Sequence, residues 1–203
     1  LGGTKMLVCV YNEQFKQVGR ARKKTKGHEG QEAGLKRINS AITEALKDAK
    51  VGADRIGGLG IGCPGPLNLK KRQLRFAANL GWKDVPIADS IEKEFGFPVV
   101  IANDVDAGVF GEYKFGAGKK ANCVFGIFPG TGIGGGCVYE GKIFKGVNCT
   151  CMEIGHIPIV PNGPLDGAGN AGTLEAMAAI SIRSTTNLNW PKCTGKSHRE
   201  FQR

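Results

Sequence analysis

Asn103-Asp104 stands where an apolar segment, Val99 to Ile101, gives way to a helix. A carboxylate at such a corner can take the proton of a substrate hydroxyl while the neighbouring amide holds a second hydroxyl, as phosphoryl transfer to an alcohol requires. Asn and Asp are also preferred helix caps, and both readings stand at this point. A second element, Pro129 to Gly136, carries five glycines in eight residues between two apolar segments. A hairpin needs only one or two residues of positive φ, so this run suits backbone amides gathered round an anion, or a plain flexible loop. It lacks the Gly-Lys-Ser/Thr ending of a Walker loop and does not open a helix as a dinucleotide fingerprint does. The third element is Gly2-Gly3-Thr4-Lys5. Its glycines allow close backbone approach to a phosphate, with a hydroxyl and an ammonium alongside; a tight turn without ligand explains it equally.

These elements need a scaffold, and hydrophobic periodicity supplies one. Lys5 to Tyr11 and Gln17 to Lys24 read as a strand hairpin around the turn residues Asn12 and Glu13. From Glu29 to Lys50 the apolar residues Leu35, Ile38, Ile42, Ala45, Leu46 and Ala49 recur three and four apart, the stripe of an amphipathic helix. Residues 56 to 62 read as a buried strand rich in glycine, followed by the loop Cys63-Pro64-Gly65-Pro66 and a polar stretch. A helix over Ile87 to Phe95, the strand Val99 to Ile101, a helix from Val105 to Tyr113, and strands Cys123 to Phe128 and Gly136 to Tyr139 complete the order. Alternating strands and helices predict an α/β fold with a mixed sheet flanked by helices, its ligands at the carboxyl ends of the strands. The expected division is an N-terminal α/β lobe over 1–115 and a second lobe over 116–203, atypical beyond about Ile182.

Composition narrows the function classes. The chain has 203 residues, 32 of them glycine, and a net charge of +10. No apolar run approaches the ~20 residues that span a bilayer, and the start lacks the order of a signal peptide, so the expected location is cytoplasmic with no membrane partner. Seven cysteines without a Cys-x-x-Cys pair read as reduced thiols. The basic residues are scattered without interleaved aromatics or a groove-reading helix, which argues against nucleic acid and for attraction of phosphorylated ligands.

Taken in order, the motifs resemble the ROK family of sugar kinases and repressors, a branch of the actin/hexokinase-like (ribonuclease H-like) fold. The matching segments are Gly2-Gly3-Thr4-Lys5, Cys63-Pro64-Gly65-Pro66-Leu67-Asn68, Asn79-Leu80-Gly81-Trp82 with Val85-Pro86, Asn103-Asp104, Gly111-Glu112, Gly130 to Gly136 and Glu153-Ile154-Gly155-His156. The resemblance implies ATP- and Mg²⁺-dependent phosphorylation of a hexose, glucose ahead of the others, with Asp104 as general base. It implies Gly65, Asn79, Asn103, Glu153, His156 and Glu175 around the sugar, and Gly2, Gly3, Thr4, Lys5, Thr131 and Gly132 around the phosphates. The alternative it leaves open is a non-catalytic sugar-binding member or repressor-like chain.

Two departures qualify the resemblance. Family members usually carry a structural zinc on the His of Glu-x-Gly-His and three cysteines, whose places here are taken by Asp166, Ala168 and Thr173, so no zinc is expected and no residue is assigned as a metal ligand. The chain also begins within the first motif and reads as incomplete at both ends, with the second lobe truncated. Apolar surface exposed where that lobe would close leaves room for a homodimer.

Overall fold

Apolar, partly β-branched sequence makes β1 (Lys5–Tyr11), which pairs antiparallel with β2 (Gln17–Lys24), Lys5 opposite Lys24 and Val10 opposite Gly19. The helical stripe becomes α1 (Gln31–Ala49), which buries Ile38, Ala41, Ile42, Ala45 and Leu46 against that hairpin. Gly19 permits the close approach, since a Cβ there would press on the Ala45 carbonyl and on Ala49. Lys50, at φ 56°, turns the chain left-handed and closes the helix on the Leu46 and Lys47 carbonyls. These are the elements of a computed structural model that describes residues 1–77, 80–147 and 150–179.

The next strand, β3 (Leu59–Cys63), starts three residues later than the sequence pattern suggested, because a 3₁₀ turn occupies Ala53–Arg55 ahead of it. The polar stretch after it holds three short strands that periodicity had not disclosed: β4 (Leu67–Asn68), β5 (Gln73–Ala77) and β6 (Trp82–Val85), paired as an antiparallel meander. Their buried positions, Leu67, Leu74, Ala77, Trp82 and Val85, lie too far apart in sequence to read as alternation. Trp82 is fully buried, its ring filling the space over Gly34 of α1 where any Cβ would collide, and its indole N–H donates to the Gly27 carbonyl at 3.3 Å.

Helix α2 (Ile87–Phe95) buries Ile87, Ala88 and Ile91 and ends at Gly96, φ 81°. Glu92 ties it to its neighbours: one carboxylate oxygen accepts from the Val99 amide at 2.7 Å and the other pairs with Arg72. β7 (Val99–Asn103) runs parallel to β3, and α3 (Asp104–Phe115) follows without an intervening loop. The core joins Met6, Ile38, Ile42, Leu74, Trp82, Val85, Ile87, Ile91 and Val99; burial of a side chain of this size contributes about 1.5–3 kcal/mol.

β8 (Cys123–Pro129), β9 (Ile133–Tyr139) and β10 (Lys142–Ile143) form a further three-stranded sheet in the order β10-β9-β8, with β9 and β10 antiparallel. Three of the five glycines expected in a loop, Gly134 to Gly136, lie inside β9 instead. Gly136 is where a Cβ would press on Val109 of α3, so close helix packing accounts for its glycine; the loop itself is only 130–132. A short helix, α4 (Leu174–Ala178), is capped by the Thr173 hydroxyl, which accepts from the Ala176 amide. By compactness the described residues fall into two units, 1–127 with 135–153 and 128–134 with 154–179. Among the described residues no helix is long and apolar enough to cross a membrane.

Candidate active site

In the first unit, β3 and β7 pair from Leu59 opposite Val99 to Cys63 opposite Asn103, so their carboxyl ends lie side by side. Ligands of α/β folds gather beyond such ends. The chain leaving β3 turns at Gly65, φ 81°, where a Cβ would strike the Phe76 carbonyl oxygen; only glycine fits. The chain leaving β7 passes through Asn103, whose side-chain oxygen accepts from the amides of Val105 at 2.9 Å and Asp106 at 3.2 Å. That oxygen caps α3, so a ligand would meet the amide nitrogen of Asn103. Gly65, Asn103 and Glu153 line one small cavity.

Two further charged residues line the same cavity, neither singled out by the sequence motifs: Asp106 and Lys145. Asp106 was within reach, because position 106 follows Asn103 by three on the first turn of α3 and therefore shares its face. Lys145 lies just past β10 with no local motif to single it out. Burial pushes the Asp106 carboxyl up and Lys145 counters the rise.

Asp104, the first residue of α3, is exposed, with its backbone lying against Gly62 of β3. The partial loss of hydration pushes its carboxyl above the usual aspartate value, with the Val105 amide pulling the other way. A carboxylate so placed is a stronger base than a free one. Cys63, directly before the Gly65 turn, is buried and its thiol is pushed up to about 11, which leaves it an inert packing group.

Gly2 to Lys5 form a tight turn, with the Gly2 amide donating to the Lys5 carbonyl at 2.9 Å. The buried Thr25 fastens it: its hydroxyl donates to the Gly2 carbonyl at 2.7 Å and its amide to the Thr4 carbonyl at 2.9 Å. Thr4 and Lys5 are exposed on this fixed backbone.

The second unit holds the remaining candidates. The 130–132 loop is closed by the Gly130 amide on the Gly132 carbonyl at 2.7 Å, with Thr131 exposed. Glu175 supports this loop: it accepts from the Ile133 amide at 2.8 Å, and its carboxylate fills the space that a Cβ on Gly132 would need. His156 ends a 3₁₀ turn over Ile154–His156 that fits under Ile133 only because residue 155 is glycine. Its Nδ1 lies 2.8 Å from Asp166 Oδ2. Asn79 falls outside the described residues.

A model of the ROK family matches residues 1–198 of this sequence. The chain belongs to the ROK family. Among its relatives, the glucokinase of Streptomyces coelicolor is 39% identical over 142 residues, covering 70% of this chain and 44% of that one. The Thermotoga maritima glucokinase is 35% identical over 185 residues, 90% of this chain and 57% of its own. The xylose repressor of Bacillus subtilis is 35% identical over 122 residues, 60% of this chain and 32% of the repressor. The chain thus spans about half the length of the curated relatives it matches. Of solved structures, the ROK hexokinase from Thermus thermophilus superposes with a TM-score of 0.77 at 33% identity, over 92% of this chain and 61% of that one. A ROK family glucokinase from Streptomyces griseus, in complex with glucose and AMPPNP, gives 0.77 at 34%, over 90% and 56%. The fold is accordingly the actin/hexokinase-like α/β type.

The structural zinc of ROK members can be tested against this chain's residues. His156, Asp166 and Glu175 bring three ligand atoms within 4.8 Å of one another. Their chemistry does not fit a closed zinc site. Ala168 offers no donor atom, and Thr173 spends its hydroxyl on Asp166 at 3.0 Å. Asp166 Oδ1 already accepts from the Ala168 and Asn170 amides at 2.9 and 2.8 Å.

Proposed function

We propose that the protein is a sugar kinase that transfers the γ-phosphoryl group of Mg-ATP to a hexose, glucose first among the candidates. The observation that carries this reading is the cavity beside the carboxyl ends of β3 and β7, where Gly65, Asn103 and Glu153 converge and the helix opening with Asp104 begins. Its similarity to glucokinases, one of them solved with glucose and AMPPNP, supports the substrate pair.

The chemistry follows from the residues. Asp104 accepts the proton of the hydroxyl as that oxygen bonds to the γ-phosphorus and the bond to the β-phosphate oxygen breaks; the proton then leaves to solvent. Its raised pKa strengthens it for this task, while the amide nitrogen of Asn103 and the carboxylate of Glu153 hold neighbouring hydroxyls so that the reacting oxygen meets the phosphorus in line. Lys145, within the same cavity, adds a positive charge that attracts anionic ligands and balances Asp106. On the phosphate side we assign the Gly2–Lys5 turn and Thr131–Gly132, whose backbones are both fixed by internal hydrogen bonds. Mg²⁺, when bound beside these phosphate-side residues, would supply charge neutralisation for the transferring phosphoryl group.

The test is formation of sugar phosphate from Mg-ATP with glucose, mannose, fructose and N-acetylglucosamine. Turnover of one or more sugars is expected, glucose foremost. A protein that binds a sugar but phosphorylates none would instead match the second reading, a sugar-binding repressor-like member, which the identity to the xylose repressor favours. Neither binding nor turnover with any sugar would overturn both.

A further inference from the structure

Asp166 is the most heavily hydrogen-bonded side chain among the described residues, and no catalytic step uses it. Its side chain is fully buried. Oδ1 accepts from the amides of Ala168 and Asn170, and Oδ2 accepts from the Thr173 hydroxyl at 3.0 Å, the Asn170 side-chain amide at 3.4 Å and His156 Nδ1 at 2.8 Å. The loop 166–170 therefore wraps around its own first carboxylate, further closed by the Asp166 amide on the Asn170 carbonyl and by Gly169, φ 87°. Outside the loop, the same oxygen reaches back to Thr173, which caps α4, and across to His156 at the end of the Ile154–His156 turn. One carboxylate thus joins three backbone segments.

An ionised carboxylate can only accept, so the nitrogen facing it must donate. Nδ1 of His156 therefore carries a proton, and ring orientation and tautomer are both set by Asp166, as a buried aspartate sets a histidine in hydrolase triads. We infer that Asp166 is the positioning residue for His156 and organises the 156–175 segment by hydrogen bonds where ROK relatives use a metal ion. The sugar-side consequence rests on the proposed function together with the place at the sugar that the family resemblance implies for His156; the tautomer and the metal-free organisation do not.

Three measurements on the purified protein test this. Imidazole ¹⁵N spectra should show a proton on His156 Nδ1 that is lost or redistributed in Asp166→Asn. Elemental analysis should find substoichiometric zinc, and EDTA should leave the melting temperature unchanged. In kinase assays Asp166→Asn should raise the sugar KM about tenfold, the scale seen when the partner of a functional histidine is removed, with the ATP KM unaltered. The same substitution in a His156→Ala background should add nothing further to the sugar KM, since that effect runs through His156. Thr173→Val, which removes a different donor, should lower the melting temperature without that split in KM.

One equivalent of zinc whose removal lowers the melting temperature, a His156 proton on Nε2 alone, or Asp166→Asn and His156→Ala effects that simply add would each overturn the inference. If wild-type protein phosphorylates no sugar, the kinase reading fails, while the nitrogen spectra and metal content still decide this one. Should Asp166→Asn fail to fold, the wild-type ¹⁵N spectrum and zinc content remain decisive.

Discussion

Asp104 in the first unit and Asp166 in the second both lose water, and their carboxyls move in opposite directions. Asp104 follows burial and rises, since the Val105 amide at 3.0 Å and its own amide offset the lost hydration only in part. Burial would push Asp166 up as well, but the hydrogen bonds from His156, Asn170, Thr173 and Ala168 outweigh it and hold the group well below the usual carboxylate range. The number of donors, more than the depth of burial, decides the sign. The same contrast runs through the architecture. The first unit rests on apolar side chains packed around Trp82, and leaves an under-solvated carboxylate at its functional corner; the 154–179 segment rests on backbone turns gathered around a satisfied one.

The largest effect is expected where the first unit is most apolar. Trp82→Ala should cost about 3–5 kcal/mol in urea or thermal unfolding, because it empties the space over Gly34. A cost under about 1 kcal/mol would mean that the core is not centred there. In the second unit the matching experiment is Gly172→Ala. Its φ of 63° and the nearby Val160 carbonyl leave no room for a Cβ, and a loss of about 2 kcal/mol should appear as a lower melting temperature. Thr25→Val, which deletes the hydroxyl that fastens Gly2, should cost about 1 kcal/mol and also raise the KM for ATP if the turn binds phosphate.

The two aspartates give a pH test of smaller size and opposite sign. Asp166, depressed in the folded state, contributes stability that is fully present above the ordinary carboxylate pKa of about 4 and is lost as the pH falls below it. Asp166→Asn should flatten that acid limb. Asp104, raised when folded, binds its proton more tightly in the native state, so its ionisation opposes folding as the pH rises through its folded pKa. Asp104→Asn should therefore stabilise the protein at neutral pH, and the acid limb of kcat/KM should lie above the range of an ordinary aspartate. Melting curves of the two variants from pH 3 to 8 separate the cases, and equal slopes would break the comparison. The smallest change is expected from Lys23→Ala, which removes a surface pair with Glu44 and should cost no more than about 0.5 kcal/mol.

How far the sequence discloses this molecule depends on which force builds each part. The stripe from Leu35 to Ala49 announces α1 because one apolar face must be buried at helical spacing, and the structure places the helix over Gln31–Ala49. The meander of β4, β5 and β6 is silent in sequence, since each strand is short and buries only one or two side chains. The glycine run signals close approach without saying what approaches. Gly136 answers to the packing of Val109, and Gly132 to the Glu175 carboxylate. Asn103-Asp104 is legible as a cap and as a catalytic pair; the structure shows the cap in its hydrogen bonds and leaves Asp104 under-solvated beside it. The role of Asp166 is hidden because hydrogen-bond convergence from residues 156, 168, 170 and 173 leaves no periodic trace.

The central claim is that Asp104 takes the proton at a sugar site formed by its neighbours. Calorimetric titration with glucose alongside the phosphorylation assay, on wild type and Asp104→Asn, tests it most directly. The expected result is sugar affinity little changed with turnover lowered about 10²–10⁴-fold, the contribution of a positioned base. Turnover retained by Asp104→Asn would contradict it.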